Sequence, residues 1–182
     1  MADNIDIQGL PEFRRTLGRL EHDVLPEATT RAVNRVADSL KSHTAKSVAA
    51  HMGVKQAVVR AKITVRKAKK GVEPVAQLTL KGNALNIVNF SARQTQKGVS
   101  AAPWGKRRVF HSAFITTVKG NRLVMTRQKV SGQRVPRMPI RTVLGPGIAK
   151  SAGSPEVSAL RATLIATRMP IEMESQIKFL VE

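Results

Sequence analysis

The side chains most clearly equipped for chemistry in this chain are cations. Lys62, Arg66, Lys67, Lys69 and Lys70 form one cluster, and Lys106, Arg107 and Arg108 form a second. Trp104, between Pro103 and Gly105, stands just ahead of the second cluster. Such side chains donate charge-assisted hydrogen bonds to phosphate or carboxylate oxygens. One Lys/Arg run by itself is ordinarily a solvated face. Here the excess persists: residues 39–155 hold 23 basic residues against one acid, Glu73, and Pro74–Pro155 holds no acid at all. The flanks differ, with five basic and seven acidic residues in 1–38 and three and four in 156–182, so the net charge of +19 is concentrated in the middle. Such a stretch repels itself, and a counter-charge is expected from phosphate, an anionic surface or an acidic protein. Trp104 reads as an interface anchor or as a hydrophobic pin for its own loop.

Catalytic patterns are missing. His43 and His51 are eight residues apart rather than three or four, and neither they nor His22 and His111 sit in an HExxH pattern, so no metal site is expected. The acid-free middle supplies no pair of carboxylates for acid–base work. There is no G-x-S-x-G elbow, Walker loop or dinucleotide fingerprint, and Gly145-Pro146-Gly147 reads as a turn. No catalytic residue and no cofactor are expected, and the chain does not read as an enzyme.

The elements that carry the cations follow from periodicity. Pro26–Met52 contains no Gly or Pro after its first residue, and Ala28, Ala32, Val33, Val36, Ala37, Leu40, Ala45, Val48, Ala49 and Met52 recur every three or four residues. That predicts a helix of roughly 39 Å, ended by Gly53. A shorter helix is expected before it, with Leu10, Phe13, Leu17 and Leu20 inward. One or two helical turns are expected in VKQAVVRAK. After them Ile63 and Val65 alternate with polar residues, and PVAQLTL, ALNIVNF, RRVFHSAFITTV and RLVMTRQ read as short strands. VKGNRLV reads as a hairpin turning at Lys119–Arg122. Residues 91–108 lack periodicity and read as a long loop. RVPRMPIRTVLGPGI reads as extended or edge-like. Helical spacing returns over Pro155–Val181, where Pro170 is expected to kink or split the helix. The expected fold is α+β: N-terminal helices including one long helix, a mainly antiparallel β-sheet, and a C-terminal helix. It is read as one domain, 1–182, with a helical lead 1–53, a basic β region 54–150 and a C-terminal helix 155–182.

Composition narrows the class. With 182 residues and 42% hydrophobic content, the chain can bury a core and is not a disordered basic tail. Five Phe, one Trp and no Tyr leave few platforms for base stacking. The absence of cysteine excludes disulfides and thiol chemistry. An acidic N-terminus without an apolar run is no signal peptide, and no stretch suits a membrane span; a soluble protein made in a cytoplasm is expected.

Several segments, in order, resemble the minor tail protein Z family of tailed bacteriophages, the tail completion proteins. They are RAVNRVADSLKS at residues 31–42, VKQAVVRAKITVRKA at 54–68, AFITTVKGNRLVMTR at 113–127, and the proline-punctuated RVPRMPIRTVLGPGI. The likeness spans roughly residues 28–165 and departs at His111-Ser112, where a glycine is expected. It implies a structural virion protein, not an enzyme, acting late in tail assembly at the head-proximal end of the tail. Partners would be copies of itself in a ring, with six the natural number from tail symmetry, and tail terminator, tail tube or neck proteins. A dozen or so phosphate contacts in a DNA-filled lumen would grip the genome, at a salt slope of about 0.9 per contact. Most of the basic area is therefore expected to dock on acidic faces of neighbouring tail or neck proteins. The alternative is a nucleic-acid-binding module that contacts DNA non-specifically through its Lys/Arg clusters.

Overall fold

A computed structural model describes residues 10–70, 74–127 and 139–182. Its elements confirm the mixed α+β class: a long N-terminal helix, antiparallel sheets and a long C-terminal helix. Helix α1 (Leu10–Arg19) passes through one wide turn, Leu20–Val24, directly into α2 (Leu25–Met52). The expected separate short helix is thus the first part of one continuous rod. Its inward face is also corrected at Leu17, which is 47% exposed. The side chains of Leu10 and Phe13 lie outside the described residues.

Gly53 ends α2 as its sequence position predicts. At φ +74° its N–H donates to the Ala49 carbonyl, and the Val54 N–H donates to the same oxygen. These bonds satisfy carbonyls that the helix leaves open. A short helix, α3 (Gln56–Arg60), leads into β1 (Ile63–Arg66), which pairs with β2 (Gln77–Leu80). Next come β3 (Ala84–Asn86), a 3-10 turn at Ile87–Asn89, β4 (Arg93–Thr95), β5 (Gly98–Ala101), a 3-10 turn at Pro103–Gly105 and β6 (Arg108–His111). Then follow β7 (Ala113–Val118), β8 (Asn121–Arg127), β9 (Ile140–Thr142), β10 (Leu144–Gly147), α4 (Ile148–Ala152) and α5 (Pro155–Val181).

Two expectations are corrected here. Residues 91–108 are not a loop: they hold β4, β5 and the first residue of β6, an antiparallel meander in the order β4-β5-β6. The polar side chains of β4 are all exposed and those of β5 are small, so neither strand shows an apolar alternation. The β7–β8 hairpin turns on Lys119-Gly120 alone, both at positive φ, and Asn121 already pairs with Val118. Two left-handed residues match the twist of a two-residue hairpin loop. Pro170 lies inside α5 without splitting it. The proline-punctuated segment is described only from Pro139: β9 is the outer strand of the β7-β8-β9 sheet, and β10 pairs antiparallel with β3.

The chain divides into two compact units. A helical unit comprises residues 1–39, 65–77 and 163–182; a sheet unit comprises 40–64 and 78–162. In the helical unit Ala28, Ala32, Val36 and Ala37 of α2 are buried, as is Gln176 of α5. Arg35 reaches Glu172 at 3.5 Å, and the Arg31 guanidinium lies 5.5 Å from the Phe179 ring centroid. In the sheet unit a continuous core joins Val48, Met52, Val59, Ile63, Ile87, Phe90, Val99, Val124, Ile148 and Val157.

One polar residue organises that core. Asn86 donates from Nδ2 to the Val124 carbonyl at 3.1 Å, and its Oδ1 accepts from the N–H groups of Val124 and Val88, both at 2.9 Å. The side chain thereby takes both main-chain groups of a β8 residue, as a neighbouring strand would. Asn34 does the same in the helical unit, clasping the N–H and carbonyl of Ala68 at 2.8 and 3.0 Å.

Candidate protein-docking surface

The division into units sorts the charge more sharply than the linear sequence does. The helical unit holds eleven basic and eleven acidic residues, a net of zero; the sheet unit holds twenty basic residues and one acid, Glu156, and carries the whole +19. Most of the first cation cluster falls in the neutral unit. Lys67 pairs with Asp38 at 3.1 Å and Lys70 with Glu27 at 3.3 Å, and Glu27 also pairs with Arg31. Residues 67–70 thus lie along α2, held by its acids and by the Asn34 clasp. Arg66 and Lys69 are exposed beside them, without an ion pair among the described residues; Lys62, in the sheet unit, is likewise exposed and unpaired.

The second cluster is built differently, within the sheet unit. Pro103 is fully buried and its N-terminal neighbour is tied down by a hydrogen bond from the Ala102 N–H to the Phe90 carbonyl, 2.9 Å. Underneath runs the turn at Gly53: a Cβ there would stand 2.9 Å from the Gly105 nitrogen and 3.1 Å from the Ala102 oxygen. Pro103 and the close backbone contact therefore pin the turn, and Trp104 is left 50% exposed. Its backbone is left-handed, φ 55° and ψ 33°. A bulky residue pays for that conformation, on the order of 1 kcal/mol or more, so the surrounding structure enforces it.

Arg108 completes the arrangement. Its guanidinium lies 5.8 Å from the Trp104 centroid and 5.1 Å from that of Phe110. A guanidinium held against aromatic faces keeps its in-plane N–H fork for a carboxylate or phosphate. Arg107 donates from Nη1 to Ser100 Oγ at 3.3 Å, and Lys106 is exposed. The sequence brought Trp104, Lys106, Arg107 and Arg108 forward; Phe110 and Val109 of the same strand as Arg108 are additions, and their signal was the adjacent apolar pair in RVFH. Beside Trp104 opens a groove of about 440 Å³ lined by His51, Pro146, Lys150, Ser151 and Ser154. It sits at the Gly145-Pro146-Gly147 segment, which is strand β10 rather than a free turn.

Among the described residues no group of three or more His, Asp or Glu stands together to hold a metal ion, and no helix is long and apolar enough to cross a membrane. The arrangement can bind anions through preset cations beside apolar surface. Residues 7–181 match the family model of prophage minor tail protein Z (GPZ). The same comparisons give no match to a curated protein or to a solved structure.

Proposed function

Because this chain belongs to the prophage minor tail protein Z family, a family of structural phage tail proteins, we propose that it completes the tail at its head-proximal end and supports head–tail joining. Its sheet unit docks on acidic faces of neighbouring tail or neck proteins, and copies of the chain form a ring, six by the symmetry of a tail. The role is architectural, with no catalytic step. The charge division supports this reading: one unit is neutral by count, while the other carries a net charge of +19. Complementary charge of that kind steers encounter and fixes register between preformed parts.

The test is reconstitution. Purified protein is added to tails made without it, and its incorporation and the joining of heads are measured against salt. The expected result is binding that weakens with salt and is lost on charge reversal at Arg107, Arg108 and Arg122. Incorporation and head joining that ignore both salt and reversal would refute the docking role. Tight binding to bare DNA with a steep salt slope, in the absence of tail binding, would instead favour a nucleic-acid module.

A further inference from the structure

Strand β6 is the outer strand of the β4-β5-β6 meander, paired on one side with β5 (Gly98↔His111 through Ala101↔Arg108). Among the described residues no strand pairs with its other side. Arg108, Val109 and His111 are exposed, and Phe110 is half-buried against the core of its unit, so the face that carries Val109 and His111 is left open. An open edge carries a row of unpaired N–H and C=O groups, and proteins ordinarily blunt such edges. Here the edge is instead furnished with Val109, the Trp104 ring and the stacked Arg108.

We infer that the β6 edge accepts an extended, acidic segment of another tail or neck protein as an added strand. This rests on the proposed function and names the contact that would carry it. Main-chain pairing along Arg108–His111 would supply affinity, and the Arg108 fork would take a carboxylate of the incoming strand. Trp104 and Val109 supply apolar surface on either side. Charge selects the occupant: a second sheet unit, itself at +19, is repelled from this edge, whereas an acidic strand is attracted. Nucleic acid could meet the arginines but would leave the row of backbone groups unpaired.

Hydrogen exchange of the wild-type protein tests this without any variant, measured free and after incorporation into tails made without it. The expected result is slowing of exchange across 108–111 by on the order of tenfold or more, with the Ile140–Thr142 edge unchanged. Replacing Val109 with a photo-reactive phenylalanine then identifies the neighbour, and the expected cross-link is to an acidic segment of a different protein. Incorporation without protection at 108–111 would overturn the inference and leave the proposed function standing. A cross-link to a second copy of this chain, or to DNA, would also overturn it. Wild-type protein that never joins tails would sink both.

Discussion

Gly53→Ala is the most demanding test of how Trp104 is presented. Two costs are separable in the structure. The backbone at φ +74° is left-handed, and an alanine there costs about 1 kcal/mol after its gain in unfolded-state entropy is offset. The new Cβ would also stand 2.9 Å from the Gly105 nitrogen and 3.1 Å from the Ala102 oxygen. Both are backbone atoms, so relief requires moving the Pro103–Gly105 turn, an overpacking cost of about 1–3 kcal/mol. The expected loss is about 2–4 kcal/mol, and at this chain length Tm falls by about 2–4 °C for each. Gly120→Ala is the control: its φ is +76° but the space around it is open, so it pays only the first cost. Thermal unfolding measures both variants. Trp104 is the chain's one tryptophan, so its fluorescence reports on the turn directly. Gly53→Ala shifts that emission and Gly120→Ala leaves it alone. Equal losses of Tm in the two variants, with an unshifted spectrum, would refute the claim that the Gly53 turn supports Trp104.

Other perturbations separate the remaining arguments. Asn86→Ala strands the N–H groups of Val124 and Val88, while the Val124 carbonyl keeps the Val143 N–H, and about 2–4 kcal/mol should be lost in denaturant unfolding; a loss below 1 kcal/mol would show that water replaces the clasp. Ser112 sits at φ 60°, so Ser112→Gly should be neutral or stabilising by up to about 1 kcal/mol, while Ser112→Val destabilises by about 1–2 kcal/mol. Lys67→Glu breaks an exposed pair worth less than about 1 kcal/mol and should weaken tail incorporation less than Arg108→Glu; the reverse order would place docking on the helical unit. Thr44 Oγ1 is buried without a hydrogen-bond partner among the described residues, so Thr44→Val should raise stability by about 1 kcal/mol.

The helical parts of this protein were legible because a three-to-four-residue apolar recurrence is a local property. Ala28, Ala32, Val36, Ala45, Val48 and Met52 all proved buried, and Gly53 ends their helix. The hairpin and the resemblance at AFITTVKGNRLVMTR were local too; so was the missing glycine at Ser112, whose positive φ explains why that position suits one. The strands β4 and β5 were not legible. Arg93-Gln94-Thr95 carries no apolar face, and it is a strand only because β5 offers its backbone a partner. The asparagine clasps were equally hidden, since Asn34 and Asn86 act on residues 34 and 38 positions away.

Sequence by itself determined that this chain is cationic in its middle, devoid of catalytic patterning and built from two long helices around short strands. Those are sums over residues or over neighbours within a few positions. Which cations remain available was a tertiary decision, because a charge is spent or spare according to what the fold sets within a few ångströms of it. Lys67 and Lys70, adjacent to no acid in sequence, are held by Asp38 and Glu27. Arg108, equally basic on paper, meets aromatic faces and no acid among the described residues, and its charge stays unspent there.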